Sequence, residues 1–380
     1  MALQSLILER LETDISWLEE FGVPALTRET GNPLTFGARF EAKRVVAALE
    51  ERITNSSGRV LVSTALNGLV QDSEGHVEGV RVVSGGEQRT RRADAVVLAS
   101  GGFGGSSELV SRYIIGGSGR MRLRANPWST GDGFLAALEA GALASAVLDE
   151  FYGRNLPAPP ARFSPEEFVE VSQLYGRYAV AINQNGKRYV DEAADWSETA
   201  LTQATARQPG LRAWYILDAA ALRERTRDRT VEDMVTIARR VGAPVLKAET
   251  LEELAERLAE RGVAREDFLH GLSEYNASVA DGRGGELSPP RSNPARPVRV
   301  PPFVAVEVAP SITHTVGGLA VDAGCRVLRR MDGRPLPGLY AAGVEVGGVS
   351  VGGYTSGLAA AVIFGRVAAA SAARDGGTPI

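Results

Sequence analysis

In the first 21 residues the apolar positions Leu3, Leu6, Leu11, Ile15, Leu18 and Phe21 recur at helical spacing and end at Gly22 and Pro24. That pattern predicts an amphipathic surface helix. A second helix is expected over 38–53, and a short apolar strand from Arg59 to Ser63. The runs Leu69 to Asp72, Val77 to Val83 and Arg89 to Arg91 are separated by Gly75 and by Gly85-Gly86, where tight turns are needed, and predict a β-meander. Residues 93–99 then form a continuously apolar run, as in a buried parallel strand, which opens at once into SGGFGG at 100–105. By itself that glycine cluster fits a plain turn as well as a ligand cradle. At 129–142 STGDGFLAALEAGA starts another helix with a small face of Ala136, Ala137 and Ala140. Asp132 in its first turn is explained equally by capping and the helix dipole or by a ligand.

Between 150 and 300 the pattern changes. Pro157, Pro159 and Pro160 interrupt it, AVAINQNGKRYVDE at 179–192 predicts a hairpin about Asn185-Gly186, and 229–281 is helical and laced with charge. The alternating charges at 251–262 are a solvated helix face. A Gly, Pro and Arg-rich segment at 281–302 leads back to strand alternation at 303–311. We therefore expect residues 1–149 and 303–380 to flank an inserted domain at 150–302 that closes over something held by the flanks. The last stretch, 311–366, places His314 beside Gly317-Gly318, a strand-like GLYAAG, a second glycine-rich run and an apolar helix starting at Ser356 or Gly357. Small residues set before a helix N-terminus suit close approach to a flat or anionic ligand, and a flavin is the ligand we expect there.

Composition narrows the class. With 380 residues, 44% hydrophobic and 23% charged, the chain can build a large core, and a net charge of −4 gives no reason to expect nucleic acid. Cys325 is alone, so no internal disulfide or cysteine-ligated cluster can form, which fits a reducing, cytoplasmic setting. His76, His270 and His314 are not joined to carboxylates at metal-ligand spacing, so no metal is expected. No membrane span is expected either, because no apolar run reaches the ~20 residues required, and the first residues do not read as a signal peptide.

The blocks VVLASGGFGG (96–105), TGDGFLAALEAGA (130–142), AINQNGKRYVDE (181–192), THTVGGLAVD (313–322) and GLYAAGVEVGG (338–348), in this order, resemble the FAD-binding flavoprotein family of fumarate reductase and succinate dehydrogenase. GGVSVGGYTSGL is closer in style to tricarballylate dehydrogenase-like and ketosteroid dehydrogenase-like members. The resemblance implies an α/β fold, a Rossmann-like FAD-binding domain with an inserted α+β capping domain. It implies FAD contacts at Ser63, Thr64 and Ala65 for the adenine, at Ala99, Ser100, Gly101 and Gly102 for the pyrophosphate and ribose, and at Asp132. Gly317, Gly318, Gly343 and Glu345 are implied along the isoalloxazine and ribityl side, and Gly357 and Leu358 at the flavin pyrimidine. His314 matches the family histidine that binds a substrate carboxylate or carbonyl, and its imidazole suits oxyanion stabilisation.

The departures shape the functional expectation. Trp196 and Tyr354 stand where fumarate reductases carry their proton-delivering and substrate-clamping arginines, so the bidentate grip on a dicarboxylate is missing and fumarate reduction is not expected. Tyr354 is a candidate acid, base or hydrogen-bond donor, or else a ring packed on a helix end. The family's ribityl-binding acid falls on Val344, with Glu345 one place later, and in an extended segment that offset turns the side chain to the other face. No G-x-G-x-x-G precedes residue 30, so the FAD-binding domain is expected to be incomplete at its N-terminus. The expected activity is an FAD-dependent dehydrogenase or reductase exchanging hydride with a C–C bond next to a carboxylate or ketone, tricarballylate dehydrogenase-like. The alternatives are a ketosteroid-type dehydrogenase and a truncated, non-catalytic remnant. With no haem or iron–sulfur ligands in the chain, any electron acceptor is expected to be a separate molecule.

Overall fold

The computed structural model describes residues 2–29, 36–117, 119, 121–195, 198–350 and 357–377. Helices α1 (Ala2–Glu20) and α2 (Ala42–Asn55) precede a three-stranded antiparallel sheet of β1 (Thr64–Gln71), β2 (Val77–Ser84) and β3 (Glu87–Arg92). The meander expected from the glycine turns is therefore present. The strand expected at 59–63 is not. Those residues have no ladder partner, Ser63 takes a left-handed φ of 51°, and Val60, Leu61 and Val62 are exposed. Next come β4 (Val96–Leu98), α3 (Ser107–Tyr113), β5 (Arg122–Leu123) and α4 (Asp132–Glu139), whose N-terminus is the left-handed Gly131. The run at 93–99 is a strand over only three residues, and Val97 is 40% exposed, so it is buried on one face and not on both.

The middle of the chain holds β6 (Phe151–Tyr152), β7 (Asn155–Pro157), α5 (Phe168–Val171), β8 (Val180–Ile182), α6 (Thr199–Ala206), β9 (Ala213–Leu217) and α7 (Ala219–Leu222). A two-residue ribbon, β10 (Arg225–Thr226) with β11 (Arg229–Thr230), leads to α8 (Val231–Arg240), β12 (Val245–Ala248), α9 (Leu251–Ala259) and α10 (Arg265–Ala280). The chain then runs through β13 (Phe303–Ile312), β14 (His314–Thr315), β15 (Arg326–Leu328) and β16 (Pro335–Ala341) into α11 (Gly357–Asp375).

β13 organises this arrangement. It pairs with β12, β9, β7 and, in parallel, β5, and all ten of its residues are buried. The alternation read at 303–311 does not separate a wet face from a dry one, because both faces are covered. Val304, Val306 and Val308 enter one core with Tyr215 and Met234, while Phe303 and Ala305 enter another with Leu254 and Phe268. The hairpin expected at 179–192 also takes a different form. The partner of β8 is β9, and the second arm keeps one bridge, Ile182 to Arg188. Beyond the Gly186 turn the chain folds Arg188 inward onto Glu192, which is 1% exposed and also pairs with Arg291 at 3.0 Å. A carboxylate between two guanidiniums satisfies this buried charge.

β16 and β4 run parallel and form the edge from which the glycine cluster emerges. Behind them lies a core of Phe103, Phe134, Leu319, Leu339, Ile363 and Phe364. Although no span was expected, α11 is the one helix among the described residues with the length and apolar content to cross a membrane. Here its face of Ala360, Ile363, Phe364, Val367, Ala368 and Ser371 is buried, and it packs on α1 and β16. Arg366 reaches from it to Asp14 of α1 and lies over the Trp17 ring at 4.6 Å, which ties the first helix to the last.

Candidate functional site

At the C-terminal end of β4 the backbone turns through Ala99, Ser100, Gly101 and Gly102, with φ of 92° and 71° at the two glycines. Parallel sheets bind ligands beyond the carboxyl ends of their strands, and this turn lies there. Neither glycine can carry a side chain. A Cβ on Gly101 would sit 2.7 Å from Ser129 Oγ, and one on Gly102 would sit 2.6 Å from Thr315 Oγ1 and 2.9 Å from Val344 Cγ1. Gly133, in the first turn of α4, would meet Ser100 Oγ at 2.4 Å. The turn, the start of α4 and the 343–345 segment are thus held at backbone distance.

Glu345 closes this junction. Gly343 has φ of 61° and starts a 3-10 turn over 343–345, so the segment is not extended and the face-alternation argument does not govern it. Glu345 points inward, fully buried, and its Oε1 accepts from Ser100 Oγ and from Gly102 N at 3.1 Å. Burial raises its pKa, opposed by those two hydrogen bonds. Its Oε2 has no partner.

His314 stands across the glycine cluster on β14, whose partner β6 places Tyr152 opposite it, with ring centroids 5.1 Å apart. Nδ1 lies 3.0 Å from Thr315 O. A carbonyl can only accept, so Nδ1 carries the proton and, in the neutral ring, Nε2 is a bare lone pair. Burial lowers the pKa of His314, against the raising effect of the Thr315 carbonyl, which keeps the ring neutral. Nε2 is buried without a partner and would lie 3.2 Å from a Cβ on Gly357, the first residue of α11. This tautomer changes the role expected for His314. As it stands, Nε2 accepts a proton and cannot donate one to a substrate oxygen.

Ser100, Gly101, Gly102, Asp132, His314, Gly343, Glu345 and Gly357 are therefore drawn together around one junction. Asp132 is exposed at the head of α4 and accepts from Thr130 Oγ1 at 2.9 Å. Ala99 is exposed at the rim, and Leu358 is 80% exposed in the first turn of α11. Gly317 and Gly318 are buried packing positions, the first against Leu148 and the second against the Glu345 carbonyl. Ser63, Thr64 and Ala65 lie apart at the head of β1, joined to the rest through the packing of β1 on α4. Tyr354 and Trp196 lie outside the described residues. The sequence assigned no site role to Thr315, whose buried, unpartnered Oγ1 faces Gly102, or to Arg124, which donates to Thr313 Oγ1 at 2.9 Å beside His314. Arg124 is placed by β5 pairing with β13 and Thr315 by β14 pairing with β6, which no local pattern signals.

A glycine cradle at strand ends, two helix N-termini and the unpartnered acceptors Glu345 Oε2, Thr315 Oγ1 and His314 Nε2 suit a polyhydroxylated, anionic dinucleotide. The residues present fit a flavin dinucleotide on this account, and the arrangement is that of an α/β flavoprotein. Comparison with known proteins gives the same class. The chain is 29% identical to NADH:acrylate oxidoreductase of Vibrio harveyi, over 94% of this chain and 35% of that protein. It is 27% identical to fumarate reductase (cytochrome) of Shewanella frigidimarina, over 95% of this chain and 59% of that one. The open conformation of a flavocytochrome c3 fumarate reductase superposes with a TM-score of 0.67 at 26% identity, covering 99% of this chain and 64% of the other. The FAD binding domain model matches residues 2–360, and the chain belongs to that family. FAD is accordingly its cofactor, and the chain spans about a third to under two thirds of the length of these relatives.

Proposed function

We propose that this chain carries the flavin and substrate sites of an oxidoreductase that exchanges two hydrogens with a C–C bond next to a carboxylate, working in the dehydrogenating direction like tricarballylate dehydrogenase. The observation that carries the reading is the neutral His314, whose bare, buried Nε2 faces the first residue of α11. The relatives support the substrate class, since two of them are named for acrylate and fumarate, both C=C bonds conjugated to a carboxylate.

When bound, FAD supplies the two-electron acceptor for a hydride leaving the substrate β-carbon. His314 does the remaining work. Its Nδ1–H is held by the Thr315 carbonyl, which fixes the ring and leaves Nε2 to take the proton from the α-carbon as the hydride departs. Both C–H bonds break and one C=C bond forms. The burial that keeps His314 neutral is thus what fits it to act as the base.

The test is anaerobic. Purified chain loaded with FAD is mixed with saturated carboxylates, tricarballylate among them, and with a 3-ketosteroid, and bleaching of the flavin absorbance is followed. Bleaching by carboxylates and not by the steroid supports the reading. Bleaching by the steroid alone refutes it, as does failure to take up FAD.

A further inference from the structure

We propose that Arg154 is the anion-binding residue of this site and receives the carboxylate of the substrate. This inference rests on the function proposed above, and it concerns a residue that no motif in the chain singles out.

Arg154 is 6% exposed. Its backbone is clamped, since its N–H donates to Ser311 Oγ at 3.3 Å while its carbonyl accepts from Ser311 N at 3.0 Å and from Ser311 Oγ at 2.7 Å. Gly153 before it lies so close that a Cβ there would overlap the Ser311 carbonyl. The position is therefore set by the junction of β6 and β7 with β13 and not by a mobile loop. The guanidinium lies over the Tyr152 ring at 5.4 Å, and that same ring lies 5.1 Å from the ring of His314. Arg154 and the proposed base are thus neighbours on one aromatic side chain.

No carboxylate hydrogen-bonds to its guanidinium, and Glu198 answers its charge only through space. The other arginine buried to this degree among the described residues, Arg291, pairs with Glu192. Among the described residues the Arg154 guanidinium has neither a hydrogen-bond acceptor nor a carboxylate within ion-pair distance. Glu198 is close enough for the Arg154 charge to lower its pKa, but its Oε1 is engaged by Gly176 N at 2.8 Å. A buried cation without a partner costs several kcal/mol, and a protein keeps one where a ligand completes it. A planar guanidinium with paired donors fits a carboxylate in two-point contact. Arg154 therefore offers, from a different strand, the grip whose usual arginines are replaced by Trp196 and Tyr354.

The full chain loaded with FAD is titrated calorimetrically with acrylate and fumarate as charged probes and with a 3-ketosteroid as the uncharged one, in wild type, R154K and R154M. Acid binding is expected to weaken on the order of 100-fold in R154M and by roughly a tenth of that factor in R154K, with steroid binding unchanged. Below the Glu198 pKa of about 7, where that carboxyl is protonated and no longer attracts Arg154, R154M should unfold thermally no earlier than wild type. Equal affinity for the acids in R154M overturns the proposal, and so does a parallel loss for acid and steroid, which marks a packing role. Where wild type binds the steroid and neither acid, or binds no probe, the functional reading fails together with Arg154. Unchanged acid binding in an R154M protein whose flavin is still bleached by carboxylates removes Arg154 alone.

Discussion

Replacing Glu198 with Gln should change how stability depends on pH. Glu198 is 4% exposed at the start of α6, with φ of 57°, and while Gly176 N donates to Oε1 at 2.8 Å, Oε2 has no partner. Burial raises its pKa to about 7 from the ordinary 4.5, with Arg154 and the Gly176 N–H opposing the shift and Asp195 adding to it. A carboxyl whose pKa is higher folded than unfolded contributes stability that is fully present below 4.5 and is lost as pH rises through 7. At 1.36 kcal/mol per pKa unit this loss is about 3 kcal/mol. Glu198→Gln keeps the shape and the Oε1 acceptor and removes the titration. Any fixed cost of the amide is the same at every pH and cancels in the comparison. Urea unfolding at pH 4.5, 6 and 8 should therefore show wild type losing about 3 kcal/mol more than E198Q across the range. Parallel curves for the two proteins would refute both the raised pKa and the burial argument behind it.

Glu192→Ala should destabilise the chain by about 3–5 kcal/mol, since it strands the buried Arg188 and Arg291, and a lowered urea midpoint would show it. Gly102→Ala forces a left-handed residue against Thr315 Oγ1, so FAD uptake, measured by absorbance after gel filtration, should fall while the 213–217 sheet remains folded by circular dichroism. His314→Ala should retain the flavin spectrum and slow flavin reduction by carboxylates on the order of 100-fold or more, and unchanged rates would remove it from the mechanism. With its pKa lowered by burial, the acidic limb that His314 imposes on kcat/KM lies below the usual imidazole value of 6.5; activity is lost as pH falls through it, and a limb above 6.5 would contradict the assignment.

Much of the site was legible locally. Positive φ at Gly101 and Gly102, the helix start at Asp132, and the placing of His314 beside a helix N-terminus follow from glycine spacing and helix signals that act within a few residues. The meander and the charged face of α9 were legible for the same reason. The misreadings arose where neighbours distant in sequence decide. Residues 59–63 have the composition of a strand but no partner in this fold, and 303–312 have alternation but are covered on both faces. Glu345 turns inward because a 3-10 turn replaces the extended backbone that its motif offset assumed.

By itself, then, the sequence determined the glycine turns of the junction and which family the chain belongs to, since both depend on short-range stereochemistry and on ordered motifs. The tertiary structure alone decided the tautomer of His314 and the burial of Arg154 beside Tyr152. Each depends on which groups burial leaves without water, and those groups are brought in by strands more than a hundred residues apart.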